Sequence, residues 1–469
     1  MTRVALVTPA ESLRAMLVRV AGAGVVEVDM VPGEDGADQS GAAGRLLRGV
    51  QSGQVRPLLS ADPPDIDELA RSERFEVIAG EAELEDHFAS AITRGSVSAL
   101  AGWMPEDARP VLAADLADVG AGVVPLPHPP GAEAPTLLTG GELRRSLEPL
   151  VSTYGTVPYR DVDPTPLAWA AYVLMFGMMF GDAGHGALLL AVAAALFAGW
   201  PRRLRRFRRA WPFVVGAGVT STIFGLLYGE FFGPTQAIPV LWLAPLEEPM
   251  RLLGAALAVG AVLLIGAYAI GTLNRRREGG WRVALYDPSG VAGAAAFIGF
   301  IVAAGGAYLG LFALTVIGGT LAAIGLILAL VGFLAAAGRG ATAIVQAAVE
   351  LFDLVVRLGA NLVSFTRLAA FGMTHAALGA IVWSGTVALW SMSGSAAVWG
   401  PVAAVVLFVA GNTLAFSLEA LVAGVQALRL EYYELFSRLF QSQGRVFRPW
   451  HVPILTEDAN EEESPCPQS

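Results

Sequence analysis

Asn361 to Trp390 reads NLVSFTRLAAFGMTHAALGAIVWSGTVALW. The stretch is long enough to cross a bilayer, which takes about 20 mostly apolar residues. It carries one charge that cannot be switched off, Arg367, and one group that titrates near neutrality, His375. An arginine at the centre of a spanning helix costs roughly 2.5–3.5 kcal/mol on insertion scales, where leucine costs nothing. A second apolar stretch, Val398 to Phe436, carries Glu419 and Arg429. These two stretches set the expectation for the rest: a helical membrane protein whose last two helices handle ions.

The composition agrees, because 54% of the residues are hydrophobic and only 15% charged, and the apolar residues concentrate in 166–436. Residues 1–165 read as a water-facing domain. The expected fold class is an all-α membrane domain of about eight transmembrane helices, the last two long, preceded by a small α/β (α+β) cytoplasmic domain. The first twenty residues include Glu11 and arginines and lack a continuous apolar core, which argues against a cleaved signal peptide. The net charge of −10 is no nucleic-acid signature. The single cysteine, Cys466, excludes an intrachain disulfide. No lysine occurs anywhere, so the phosphate-binding lysine of a P-loop is missing and the chain is not expected to hydrolyse ATP by itself. No cofactor motif and no metal-ligand spacing stands out.

The expected domains are a cytoplasmic docking domain over 1–124, a linker over 125–166, a membrane domain over 167–437 and a cytoplasmic tail over 438–469. In the first, Thr2–Thr8, Gly24–Asp29, Phe75–Ala79, Ser96–Met104 and Gly122–Val124 read as strands. Pro9–Ala21, Glu81–Arg94 and Glu106–Val119 read as helices, and 32–66, rich in Gly, Asp and Pro, as loop.

The first apolar block, Leu167 to Trp200, holds GMMFGDAGHG (177–186), whose glycines, Asp182 and His185 suit a turn better than a helix centre. It is therefore read as two short spans, 167–181 and 184–200. PRRLRRFRRAW then supplies six arginines and faces the cytoplasm by the positive-inside rule. Spans are expected at 211–231, 250–273, 288–311, 313–337, 358–392 and 397–435, with 342–357 lying along the interface as an amphipathic helix. Both termini then lie in the cytoplasm of a multi-pass protein of the cell membrane, and every arginine-rich loop falls on one side. One long first span would make seven crossings.

On the final span Asn412, Glu419, Gln426 and Tyr433 recur every seven residues, with Arg429 three after Gln426. One polar stripe on a membrane helix usually faces protein or a water-filled cavity. The expected chemistry is electrostatic. A carboxyl group carried past Arg367 on a partner loses its proton, because a cation within about 4–6 Å lowers a carboxyl pKa by roughly 1–3 units. Glu419, His375 and the stripe would line aqueous paths to either face. The bland alternatives are an arginine paired with Glu419 or Asp182, a packed His375, a Gln426 that glues helices, and an Asp182 and His185 that form a turn.

Several motifs resemble those of one known family, the membrane stator subunit of vacuolar- and archaeal-type rotary ATPases, called subunit a or subunit I. PLVSTYGTVPYRDVDPTPLAWAAYVLMFGMMFGDAGHG (149–186), YGEFFG (228–233), SFTRLAAFGMTHAAL (364–378) and LEALVAGVQALRLEYYELFSRLF (418–440) are similar to its markers, and GWMPEDARPVLAADLADVG (102–120) more weakly so. The resemblance implies that Arg367 and Arg429 face a proteolipid ring, with Gln426 beside Arg429 and Glu419 in a half-channel. Gly181, Asp182, Gly184, His185 and Glu230 fall in its structural turn motifs. It implies as partners that ring, a central-stalk socket, a peripheral stalk and a separate ATP-hydrolysing sector. One departure stands out: only residues 37–75 occupy the place of the first half of the family's long coiled-coil arm, which leaves the peripheral-stalk contact open. The alternatives are a self-contained secondary transporter, which would show two related halves with broken helices, and a non-transporting assembly or anchoring homologue.

Overall fold

The computed structural model describes residues 1–29, 41–49, 55–128, 134–137, 147, 151, 155–159, 161–199, 202–391, 399–439 and 444–455. They fall into two compact units, Met1–Leu137 with Gly444–Ser469, and Leu138–Gln443.

The first unit is built on an antiparallel sheet: β1 (Thr2–Pro9), β2 (Glu27–Val28), β3 (Ile92–Arg94), β4 (Val97–Met104) and β5 (Gly122–Leu126), in the order β2-β4-β1-β5 with β3 also on β4. Strand side chains alternate between faces, so Val4, Leu6 and Thr8 of β1 are buried. The register places Leu6 opposite Leu100 and Val4 opposite Gly102. Gly102 is needed there, since a methyl would stand 2.7 Å from the Glu27 carbonyl oxygen on β2. Helices α1 (Leu13–Ala23), α2 (Ala42–Gly49), α3 (Ile66–Arg71), α4 (Phe75–Ala89) and α5 (Arg109–Ala117) complete the unit. Arg14 of α1 grips Glu81 of α4 with two bonds of 2.6 and 2.8 Å.

Several expectations change here. Phe75–Ala79 is not a strand but the first turn of α4, because Val77, Glu81 and Leu84 are buried at helical spacing. The helix expected over Glu81–Arg94 accordingly stops at Ala89, and 92–94 joins the sheet. The expected loop 32–66 contains α2, whose Ala43 packs with Leu69, Val77 and Ile78. Strand β5 runs past 124 into the expected linker. The tail is also revised: 444–455 belongs to this unit, with Trp450 N donating to Val26 O at 2.9 Å and Leu59 pairing with Ile454. The rest of the tail, with Cys466, lies outside the described residues, as do 30–40 and most of the linker.

The second unit contains α6 (Thr165–Met179), α7 (Ala183–Ala198), α8 (Trp211–Tyr228), α9 (Pro249–Tyr286), α10 (Val291–Tyr308), α11 (Phe312–Ala337), α12 (Ala341–Ser364), α13 (Thr366–Ser391) and α14 (Trp399–Leu430). Helix α14 continues through a π-helical turn, Glu431–Phe436. Five described helices are long and apolar enough to cross a membrane, those carrying α8, α9, α10, α11 and α14, while α6 and α7 are shorter apolar helices. The chain is thus a helical, multi-pass membrane protein.

Two boundaries differ from the sequence reading. Helix α9 does not stop at 273 but runs through NRRREGG to Tyr286, broken only where Gly279 and Gly280 leave helical geometry. Arginine is a good helix former, and Arg275 pairs with Glu278 three residues on at 2.6 Å, so nothing in that run stops the helix before the glycines. The span expected over 358–392 is split at Phe365: 358–364 finishes α12, and α13 starts at Thr366.

Candidate functional site

The break at Phe365 decides where the arginine sits. Phe365 N and Leu368 N make short-range bonds to Leu362 O and Phe365 O instead of helical ones, at 3.1 and 3.0 Å. The freed Ser364 carbonyl accepts from Arg367 Nε at 3.0 Å. Arg367 is therefore in the first turn of α13, capping the break, and not at the middle of a helix. Its terminal nitrogen donates to Glu434 Oε1 at 2.8 Å. The other, NH1, is buried with no hydrogen-bond partner among the described residues. The arginine side chain keeps 23% of its surface exposed against 6% for the glutamate.

Glu434 is absent from the seven-residue stripe read from the sequence. An α-helix brings i and i+7 to one face, which would continue Asn412, Glu419 and Gln426 to Tyr433. The π turn Glu431–Phe436 holds an extra residue per turn. Inward-facing positions after it move on by one, so Glu434 is buried and Tyr433 is 71% exposed. Just beyond, Arg438 is buried with its guanidinium 5.5 Å from the Tyr268 ring. Glu431 in the same turn is 0% exposed.

Farther along α13, His375 Nδ1 meets the Glu419 carboxylate of α14. Around them lie the residues of the α6–α7 break. A helix break at membrane depth is tolerated only where the protein itself satisfies the freed backbone groups. Asp182 does this: Oδ1 accepts from His185 N and Phe232 N at 2.9 and 3.0 Å, and Oδ2 from Gly233 N at 2.9 Å. Ser221 of α8 donates to the Phe180 carbonyl at 2.6 Å, and Ala183 N donates to Glu230 O at 3.0 Å. The glycines of the motif are steric necessities. A methyl on Gly181 would stand 2.6 Å from the Tyr228 ring, and one on Gly184 2.5 Å from that of Phe232. Phe232 itself holds a φ of 51°, rare for a side chain of that size.

The structure thus sorts the expected site residues into two groups. Arg367 stands with Glu434, which was not anticipated. His375 and Glu419 stand with Asp182, His185 and Glu230, a juxtaposition no spacing in the sequence shows. Arg367 pairs with neither Glu419 nor Asp182. Gln426 is half-buried, its Oε1 without a partner among the described residues. Arg429 is exposed, on the face of α14 that also exposes Leu418, Leu421 and Val425.

Residues 91–238 match the model of the V-type ATPase 116 kDa subunit family. The A-type ATP synthase subunit I of Pyrococcus horikoshii is 25% identical over 386 residues, 80% of this chain and 57% of that protein. Over that stretch the chain is similar to the V-type ATPase 116 kDa subunit family. It is also similar to the V-type ATP synthase subunit I 2 of Treponema pallidum, 37% identical over 28% of this chain and 32% of that protein's length, and to the A-type ATP synthase subunit I of Thermococcus kodakarensis, 26% identical over 68% and 48%. The chain spans about half the length of the curated relatives it matches. The family match covers the α6–α7 break and the turn that Asp182 binds; the arginine helix lies beyond it.

Proposed function

We propose that this chain is the membrane-embedded, non-catalytic subunit of an A/V-type rotary ATPase, and that it passes protons between its two faces and the carboxylates of a rotating proteolipid ring. The observation that carries the reading is Arg367. It is a permanent cation at a helix break, with 23% of its side chain exposed, beside an apolar face of α13 and α14 left uncovered. In this reading Glu434 holds the guanidinium in place between encounters. An arriving ring carboxylate shares the guanidinium with Glu434, since that group has five donors, and gives up its proton as the opposite charge approaches. His375 and Glu419 lead to one face, and Gln426 and Arg429 border the ring. The driving force is about 2.3 kcal/mol per charge per 100 mV.

The topology that fits is eight crossings, formed by α6 to α11, α13 and α14, with both termini and the arginine-rich segments in the cytoplasm. The partners would be the ring, a central-stalk socket, an ATP-hydrolysing soluble sector and, through whatever remains of the arm, a peripheral stalk. A static Arg367–Glu434 pair is what a non-transporting anchoring homologue would also contain.

Two experiments separate these. Mild detergent should bring the chain out with a small proteolipid. Arg367→Ala should abolish ATP-driven uptake into vesicles while the protein stays in the membrane. Uptake that survives the substitution removes Arg367 from the mechanism.

A further inference from the structure

At the break between α6 and α7 three metal-capable side chains are buried together. Asp182, His185 and His375 are 0, 2 and 5% exposed, and each can place one ligand atom within 4.8 Å of the other two. Nothing in the transport reading uses His185. Its two ring nitrogens make no hydrogen bond among the described residues, although the ring is walled in by Phe180, Phe232 and Phe416 at centroid distances of 5.5, 5.2 and 5.7 Å. Leaving a buried polar group unsatisfied costs about 1–3 kcal/mol, and a neighbour that accepts an imidazole lone pair would remove that cost.

We propose that Asp182, His185 and His375 form a binding site for a divalent transition-metal ion of the Zn2+ type. Two imidazoles and one carboxylate are the donors that suit zinc, cobalt or nickel, whereas magnesium and calcium take oxygen ligands. Three protein ligands leave a fourth position open, the pattern of an exchangeable rather than a sealed structural site. The surroundings fit. Asp182 is fixed by three backbone N–H groups. His375 is gripped at Nδ1 by Glu419, as a carboxylate commonly steadies a ligating histidine from the side away from the metal. Nε2 is then the nitrogen His375 has to offer. The Asn412 amide stands beside His185, and the Glu230 carboxylate adds negative charge to the same region. A tetrahedral ion about 2.1 Å from each donor spaces its ligand atoms roughly 3.4 Å apart, so a set whose atoms lie within 4.8 Å of one another closes by at most about 1.4 Å. Metal bound here would occupy His375 and so oppose ion passage.

The test is an equilibrium one and needs no transport, so it can fail while the rotary reading stands. The full chain, purified in detergent, freed of any affinity tag and treated with chelator, is titrated with Co2+. One equivalent should bind with the visible absorption of low-coordinate cobalt held by nitrogen and oxygen, and Zn2+ should displace it. His185→Gln should weaken binding at least a hundredfold, and Glu419→Gln by about 10–100-fold, the usual cost of losing a carboxylate behind a ligand. His451→Gln, in the other unit, should change nothing. Non-saturating binding, or binding by His185→Gln as tight as by the parent, overturns the site. If that variant does not fold, X-ray absorption of the zinc-loaded parent decides, and fewer than two imidazole ligands refutes the assignment.

Discussion

Asp182 binds two separate turns with one carboxylate. It caps α7 and holds the turn after α8, and its three donors are backbone N–H groups with no water to turn to. Asp182→Ala should cost several kcal/mol, at about 1–3 per buried donor left unsatisfied. It should appear as loss of monodisperse protein in detergent, with Asp182→Asn, which keeps one acceptor oxygen, clearly milder. The sequence suggested a turn at this residue from its glycine neighbours. It could not suggest what the carboxylate binds, because Phe232 and Gly233 are some fifty positions away. Arg367 teaches the same lesson in reverse. Its importance is legible from the cost of placing a charge in an apolar stretch. Its partner is not, since Glu434 is 67 residues on and becomes inward-facing only through the π turn.

Among the elements, α10 and α11 pack most closely, and the reason is glycine. A methyl on Gly299 would run into the backbone of Ala322, and one on Gly318 into that of Ala303, whereas Gly319 faces open space. Small residues let membrane helices approach until their backbones touch. Gly318→Leu should therefore destabilise the chain by about 1–3 kcal/mol, the usual price of overpacking, and Gly319→Leu by almost nothing. Denaturant midpoints in detergent would show the difference, and equal effects would refute this account of the contact. Helix existence was readable from apolar length in this half of the chain. Helix ends were not, as α9 and the break at Phe365 show: hydropathy marks the bilayer, and backbone bonding marks the helix.

Across the whole molecule, the least expected feature is that residues 444–455, close to one end of the sequence, complete the unit formed by the other. Trp450 lies with its ring centroid 3.9 Å from that of His87, and Arg448 N donates to Glu27 Oε2 at 2.7 Å. Burial pushes the His87 imidazole down to about 4, against the pull of Asp86. Unfolded, the same group takes its proton near about 6.5. Between these values the unfolded chain binds more protons, so this contribution is whole above about 6.5 and is lost as pH falls towards about 4. Hydrogen exchange over 444–455 should accelerate through that window, and His87→Phe should flatten the response. A profile unchanged by the substitution would exclude His87 as its source.

The sequence by itself determined that this chain is a helical membrane protein, and it singled out Arg367, His375 and Glu419 as polar groups in apolar stretches. Apolar length and the expense of buried charge are local properties, written residue by residue. Which charges meet was decided only by the tertiary structure. Arg367 meets Glu434 through the break at Phe365 and the π turn, neither of which has a signal of its own in the sequence, and the glycine-marked turn at Asp182 does not say that His375 lies beside it.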